Sequence, residues 1–255
     1  MEYVFSKVLL KKYDVKYFYC SNCRSMQTEE PYWLKEAYLP INERFDTGQF
    51  MRSLHNAAFI FTISGYLGLQ SKFMVDYGCG SGLTARILRD VGCNAWGYDL
   101  YSEPRLLMGF QAKNLDGAHI INLCEVVEHF SEPSFNFDEI FQVRPKLVII
   151  QTGILEMPNV DWHYLAPEHG QHIFFTSEET LDFLAKRYGM AATIIGGHII
   201  FFEGSFVNLI YQNDAGHIRP DFASTIDSSM LMLLRTLASN GYTYPTRDNA
   251  LLSQS

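Results

Sequence analysis

Short apolar runs alternate with segments of helical spacing through the middle of this 255-residue chain. The run Leu147–Gln151 is almost continuously apolar, which is typical of a strand buried on both faces of a parallel sheet. Similar runs predict the other strands, at residues 73–76, 94–99, 119–124, 191–195 and 206–211. A third strand between residues 106 and 114 is only weakly indicated.

Helices are predicted between these strands. Apolar side chains recur at helical spacing over residues 49–67 and 83–91. Ser177 can cap a further helix that runs to residue 188, and Gly189 can end it. Alternating strands and helices predict an α/β fold, with a mostly parallel sheet and helices on both faces.

The two ends of the chain depart from this pattern. Residues 1–68 are rich in aromatic side chains and lead into a helix, so we predict an N-terminal lid or small subdomain there. The α/β domain is predicted over residues 69–215. Residues 216–255 are predicted to form a C-terminal helical tail that is poorly anchored after Tyr242.

Composition excludes several kinds of partner. The formal net charge is −8 and no run rich in lysine or arginine stands out beyond Lys11-Lys12, so we expect no nucleic acid partner. We expect no membrane span either, because no apolar run reaches the roughly 18 residues that a spanning helix needs. The five scattered cysteines and the absence of a signal-peptide pattern favour reduced thiols in the cytoplasm.

The strongest motif is Asp76-Tyr-Gly78-Cys-Gly80-Ser-Gly82, between a predicted strand and a predicted helix. Glycines let the backbone approach a ligand closely, and the helix N-terminus favours an anionic group such as a carboxylate. A dinucleotide fingerprint would place a third glycine where this chain has Leu83. Asp99 ends the next predicted strand, where a carboxylate can accept hydrogen bonds from both ribose hydroxyls.

This loop and two later stretches resemble class I S-adenosylmethionine-dependent methyltransferases, particularly the ubiquinone-biosynthesis O-methyltransferases and sugar-modifying enzymes. The later stretches are Asn122-Leu-Cys-Glu-Val-Val-Glu-His-Phe130 and Trp162-His-Tyr-Leu-Ala-Pro-Glu-His-Gly-Gln-His-Ile173. An N-terminal pattern is similar to an extension of the glycan-biosynthesis subgroup; it comprises Cys20-x-x-Cys23, Pro31-Tyr-Trp-Leu34 and Asp46-Thr-Gly48. The resemblance covers most of the chain.

The resemblance implies a Rossmann-like fold, S-adenosyl-L-methionine as cofactor, and O-methylation of a small polar acceptor. A sugar or activated sugar of surface-polysaccharide biosynthesis is the implied acceptor, and a homodimer is one expected assembly. Two alternatives stay open: a cofactor-binding module without catalysis, and a nicotinamide-dependent oxidoreductase. The cofactor-binding residues that we predict are Asp76, Gly78, Gly80, Gly82, Asp99, Leu100 and Glu125.

Methylation of an alcohol requires a base that removes the hydroxyl proton. Some 25 residues separate the strand that ends at Gln151 from the helix at Ser177, and long loops of this kind are commonly functional. This segment is rich in histidine, and we prefer His172. The candidate catalytic residues are therefore His172, His169, His163, His129 and Glu125. A structural role, in which Glu128 and His129 hold the loop, is the alternative for His129. For His169 and His172 the alternative is that they lie at the surface or brace their own loop.

Two further groups of residues raise the question of metal binding. Asp161, His163, Glu168, His169 and His172 could hold a divalent ion, but their spacing matches no strong template. Cys20 and Cys23 have the spacing of half a zinc site, with no second pair to complete it. We therefore predict no bound metal. The residue that contacts the adenine is not assigned, and Asn114 and Asp116 are its two candidates.

Overall fold

The computed structural model describes residues 1–39, 48–213, 216–241 and 243–253, and it divides into two compact units. The small unit consists of Met1–Gly48, Glu125–Glu139 and Thr152–Gly189. The sheet unit consists of Gln49–Cys124, Ile140–Gln151 and Met190–Ser255. This division differs from the predicted segments that end at residues 68 and 215, because the chain passes several times from one unit to the other. Asp46 and Thr47 of the N-terminal pattern lie outside the described residues.

The strands are numbered along the chain. They are β1 (Glu2–Leu9), β2 (Tyr13–Tyr19), β3 (Met26–Thr28), β4 (Phe73–Tyr77), β5 (Asn94–Tyr98), β6 (Ile120–Cys124), β7 (Leu147–Gln151), β8 (Phe174–Phe175), β9 (Ala191–Ile195) and β10 (His198–Phe202).

The helices are α1 (Leu34–Ala37), α2 (Gln49–Tyr66), α3 (Leu83–Asp90), α4 (Pro133–Gln142), α5 (Glu178–Tyr188), α6 (Val207–Ile210), α7 (Pro220–Asp227), α8 (Ser229–Asn240) and α9 (Thr243–Leu252). Short 3₁₀ turns occur at Arg105–Leu107, Val127–His129, His163–Leu165 and Gly204–Phe206. None of the helices in the described part of the chain combines the length and the apolar character that crossing a membrane requires.

The sheet unit contains a mixed sheet whose described strands run in the order β5-β4-β6-β7-β10-β9. Strands β5, β4, β6 and β7 are parallel, and β10 is antiparallel to both of its neighbours. With helices packed around it, this sheet confirms the predicted α/β, Rossmann-like class I fold. The weak third strand is reduced to an isolated parallel bridge between Gly97 and Gln111.

One predicted strand is wrong. Residues 206–211 form the end of a 3₁₀ turn and helix α6, while the strand of this region is β10, at His198–Phe202. All five residues of β10 are buried, as expected between two neighbouring strands. Gly196 and Gly197 have φ values of +57° and +75°, so they form the tight turn that joins β9 to β10.

The C-terminal helix α9 is anchored, contrary to the prediction of a loose tail. The Arg89 guanidinium on α3 donates to both carboxylate oxygens of Asp248 on α9, at 2.7 and 2.8 Å. Both side chains are only 3% exposed. The paired donors therefore fix α9 against the helix that follows the glycine loop.

The small unit contains antiparallel strands in the order β1-β2-β3-β8, where the sequence analysis predicted a helical lid. Its core contains residues from the first and the last of its three chain segments. Tyr17 and Trp33 pack in one cluster with Leu165 and Phe175. The Trp33 Nε1 donates to the Gly170 carbonyl at 2.8 Å. The Ser177 cap of α5 is confirmed as a capping box with Thr180. That residues 1–68 cover the cofactor loop stays a prediction.

Candidate active site

The glycine loop, residues 78–82, lies between β4 and α3 as predicted. Gly78, Gly80 and Gly82 all have positive φ, at +67°, +52° and +83°. A Cβ at position 82 would lie 2.8 Å from the Leu107 side chain, so the close approach of that side chain requires glycine there. The loop thus keeps a left-handed backbone that other residues would strain.

Asp99 is held directly beside this loop. One of its carboxylate oxygens accepts from the Gly80 N–H at 2.9 Å. The other accepts from the N–H groups of Tyr101 and Ser102, at 2.8 and 2.7 Å. Leu100 is 62% exposed, so its side chain is accessible to a ligand. This arrangement fixes the orientation of the carboxylate that we predict to bind the ribose.

Asp76 supplies a second carboxylate beneath the loop. It is buried and accepts a hydrogen bond from the Asn122 amide at 2.6 Å. Burial raises the pKa of Asp76 to about 7, and the nearby Asp99 charge raises it further. The Asp99 carboxylate beside the loop suits a cofactor that carries a cationic sulfonium and an ammonium group, and it disfavours a pyrophosphate. The residues present therefore fit S-adenosylmethionine.

The adenine-contacting residue is not found among its two predicted candidates. Asn114 and Asp116 line a surface cavity together with Phe73 and Asn94, the first residues of β4 and β5. The glycine loop follows the opposite, carboxyl end of β4. Asn114 and Asp116 are thus at the wrong end of the strands, and neither is proposed to contact the cofactor.

A second group of polar side chains lies within the small unit. We call it the carboxylate–imidazole cluster, and it comprises Glu125, Glu128, His129, Tyr164 and His172. Glu125 follows β6 directly and has a φ of +55°, a left-handed conformation that is uncommon for a glutamate. The 3₁₀ turn after it is tied to the segment before β8, because the Ile173 N–H donates to the Glu128 carbonyl at 2.7 Å.

Glu128 is the buried centre of the cluster and is fully inaccessible to solvent. The Tyr164 hydroxyl donates to its Oε1 at 2.6 Å, and the Thr152 hydroxyl donates to its Oε2 at 2.9 Å. The Tyr164 hydroxyl also lies 3.1 Å from Glu125 Oε2. Burial raises the pKa of Glu128, and the two hydroxyl donors oppose that effect.

Backbone carbonyls fix the orientation of both cluster histidines. His129 Nδ1 lies 3.0 Å from the Gln171 carbonyl, and His172 Nδ1 lies 2.6 Å from the Tyr164 carbonyl. Because a carbonyl oxygen only accepts, Nδ1 carries the proton in each neutral ring and Nε2 presents the lone pair. Burial lowers the pKa of His129 to about 4. His172 Nε2 is 4.0 Å from Glu128 Oε1.

The structure separates the predicted catalytic histidines. His172 is buried beside Glu128, and the His169 ring centroid lies 5.1 Å from that of His172. His163 is exposed. His129 joins His172, with a distance of 5.3 Å between ring centroids. Sequence reasoning missed Glu128 as the centre and Tyr164 as its donor. A buried acid inside an apolar run, Glu128 after Val126-Val127, was the available signal.

The cluster also contains a possible set of metal ligands. One ligand atom from each of Glu128, His129 and His172 lies within 4.8 Å of the others. Among the described residues this is the only such group of three, and it differs from the set considered from sequence. Asp161 of that earlier set is exposed and lies 3.7 Å from Lys7 instead.

Comparison with known proteins agrees with this architecture. A family model described as a methyltransferase domain matches residues 50–193, which is more than half of the chain. No curated protein matches the sequence significantly.

Several solved structures are similar to this chain. An O-methyltransferase family protein from Burkholderia thailandensis has 13% sequence identity and a TM-score of 0.50, and the match covers 72% of this chain and 66% of that one. Magnesium protoporphyrin IX methyltransferase from Synechocystis PCC 6803, with bound SAH, has 13% identity and a TM-score of 0.47 over 66% and 90% of the two chains. The methyltransferase domain of bacterial CtHen1-C has 19% identity and a TM-score of 0.44 over 59% and 99%.

The glycine loop, its two carboxylates and the family match agree with one another. Together they favour a methyltransferase over the two alternatives, a nicotinamide-dependent oxidoreductase and a cofactor-binding module without catalysis. The chain belongs to the class I S-adenosylmethionine-dependent methyltransferases, and S-adenosylmethionine is its cofactor.

Proposed function

We propose that this protein methylates a hydroxyl oxygen of a small polar acceptor, a sugar or an activated sugar of surface-glycan biosynthesis. The observation that carries the proposal is the carboxylate–imidazole cluster, in which backbone carbonyls anchor Nδ1 of two imidazoles and leave Nε2 as the nitrogen that can accept a proton. The sugar class is supported by the resemblance of residues 162–173 and of the N-terminal pattern to glycan-biosynthesis enzymes.

The chemistry assigns separate tasks to cofactor and protein. S-adenosylmethionine, when bound, supplies the methyl group and the sulfonium that leaves as a neutral thioether. Asp99 and the glycine loop are proposed to hold the cofactor, with Asp76, Leu100 and Glu125 as further contacts. The remaining requirement is removal of the acceptor proton, which a positioned imidazole performs.

His172 is the favoured base. It is buried, its Nδ1 is anchored on the Tyr164 carbonyl, and Glu128 Oε1 lies 4.0 Å from its Nε2. A carboxylate at that distance stabilises the imidazolium that forms when Nε2 takes the proton. His129, His169 and Glu125 are the next candidates, and the exposed His163 is the weakest.

The test is methyl transfer from radiolabelled S-adenosylmethionine to a panel of nucleoside-diphosphate sugars, with the product position determined by NMR. We expect a new O-methyl group. His172→Asn should lower turnover by about 10² to 10⁴ while S-adenosylhomocysteine binding is unchanged. His217→Asn is the control, because His217 is exposed and lies in the other unit. A methyl group on carbon or nitrogen would overturn the assignment to a hydroxyl.

A second mode of hydroxyl activation is favoured by one observation. Glu128, His129 and His172 could together bind a divalent cation, which would acidify a bound hydroxyl. Metal analysis of the purified protein, and turnover before and after chelation with EDTA, distinguish the two modes. Loss of turnover on chelation with recovery on adding Mg²⁺ or Mn²⁺ supports the metal, whereas unchanged turnover supports His172 as a base.

A further inference from the structure

Cys20 and Cys23 lie in the turn that joins β2 to β3. Two backbone hydrogen bonds close this turn: the Cys20 N–H donates to the Ser25 carbonyl at 2.9 Å, and the Arg24 N–H donates to the Cys20 carbonyl at 2.8 Å. Arg24 has a φ of +55°, which folds the chain back on itself. The turn thereby holds Cys20 and Cys23, three positions apart, within one closed turn of the backbone.

Both thiols are partly accessible, and the turn activates one of them. The backbone N–H groups of Cys23 and Asn22 point at the Cys20 sulfur and lower the pKa of its thiol. The Cys23 Sγ lies 3.2 Å from the Ser25 hydroxyl. A lowered pKa increases the fraction of thiolate, which is the reactive form.

Other cysteines of the chain have the opposite environment. Burial raises the pKa of Cys93 to about 12, and it raises the pKa of Cys79 far above its ordinary value. These thiols are therefore mostly protonated at neutral pH. We therefore expect thiol oxidation to be selective for Cys20 and Cys23.

Contacts with helix α5 hold the turn in place, so oxidation of the two thiols does not require the hairpin to unfold. The Cys23 carbonyl accepts a hydrogen bond from the Thr180 hydroxyl at 2.8 Å. Arg24 Nη1 lies 2.6 Å from Glu179 Oε1. Both partners belong to the first turn of α5, which holds the Cys20–Cys23 segment in place.

Metal binding is the alternative role for the two cysteines. A closed zinc site requires four ligands. Within the described part of the chain, no third histidine, cysteine or carboxylate completes a ligand group with Cys20 and Cys23. The pair by itself therefore offers half of such a site.

We propose that Cys20 and Cys23 form a redox-active dithiol, which exchanges with low-molecular-weight disulfides and closes into an intramolecular disulfide. The Cys20 thiolate attacks one sulfur of oxidised glutathione, so that a Cys20–glutathione bond forms and one glutathione leaves as a thiolate. Cys23 then attacks the Cys20 sulfur and releases the second glutathione. Two protein thiols are oxidised and one small disulfide is reduced to two thiols, so the electrons balance. This inference is independent of the acceptor and of the proposed base.

The experiment exposes the full-length protein to oxidised glutathione, alkylates the remaining thiols, and maps every cysteine by mass spectrometry. We expect the Cys20–Cys23 peptide to lose two hydrogens and to resist alkylation until a reductant is added. Cys93 should stay a thiol throughout. Oxidation of the wild-type protein is measured directly, so this result does not depend on a variant that folds.

Two variants test the order of the steps. Cys23→Ser should accumulate one glutathione on Cys20, because the resolving thiol is missing. Cys20→Ser should react at Cys23 at least about tenfold more slowly, because the activated thiolate is missing. Equal alkylation of both cysteines after exposure to oxidised glutathione would overturn the proposal. So would stoichiometric zinc in the purified protein that both variants lose, since the pair would then be a metal site.

Discussion

The hydroxyl of Tyr164 donates to the buried carboxylate of Glu128 over 2.6 Å, and the backbone carbonyl of the same tyrosine holds His172 over the same distance. One residue thus positions both the acid and the imidazole of the proposed site. Gly153 makes room for it, because a Cβ there would lie 2.4 Å from the Tyr164 ring.

Tyr164→Phe should therefore destabilise the protein. The substitution removes a donor from a carboxylate that is inaccessible to solvent, at an expected cost of about 1–3 kcal/mol in the free energy of unfolding. Urea denaturation measures it. Tyr188→Phe is a matched control, since the Tyr188 hydroxyl bonds the exposed Asp138 carboxylate at 2.6 Å, and it should cost about 0.5 kcal/mol or less. Equal effects of the two substitutions would contradict this role for Tyr164.

Asp99→Ala should weaken S-adenosylhomocysteine binding by about 10- to 100-fold, because the acceptor that we propose for two ribose hydroxyls is lost. Calorimetry measures the change in Kd. Asp116→Ala is the control, since the exposed Asp116 lies at the opposite end of the strands. An unchanged Kd for Asp99→Ala would show that this carboxylate does not bind the cofactor.

Asp248→Asn should detach α9 from the sheet unit. It leaves the Arg89 guanidinium buried with a weaker partner, and breaking a buried pair costs about 3–5 kcal/mol. The comparable substitution in an exposed pair is Asp221→Asn, whose carboxylate lies 3.1 Å from Arg219 Nε. That control should cost about 1 kcal/mol or less in the free energy of unfolding. If Asp248→Asn is as mild as its control, the tail is not anchored by this pair.

His198 should make stability depend on pH. It is buried and stacks on Phe59 with a centroid distance of 3.9 Å, and burial lowers its pKa from 6.5 to about 4. Between these two values the unfolded chain binds the proton and the folded chain does not. The contribution is therefore complete above about pH 6.5 and is lost as the pH falls towards 4.

His198→Phe removes this titration and keeps an aromatic ring on Phe59. From pH 7 to pH 4 the wild type should lose up to about 3 kcal/mol more free energy of unfolding than the variant. Thermal or urea unfolding at several pH values tests this. Parallel pH profiles for the two proteins would show that His198 is not the group responsible.

The sequence alone determined what depends on neighbouring residues. The apolar run at Leu147–Gln151, the Ser177 cap and the glycine loop all lie where they were predicted. Each is specified by side-chain periodicity or by local backbone chemistry within a few positions. The same local reasoning failed at residues 206–211, where a 3₁₀ turn leads into helix α6, because a short apolar run does not by itself distinguish a buried helix from a strand.

The tertiary structure decided what depends on distant residues. The N-terminal strands form a sheet because Met26 pairs with Phe175, almost 150 positions later. Glu128, Tyr164 and His172 likewise meet only after two segments separated by more than 30 residues fold together. No periodicity within either segment encodes such a contact. It arises because both segments bury their apolar neighbours in one core, where buried polar groups need hydrogen-bond partners.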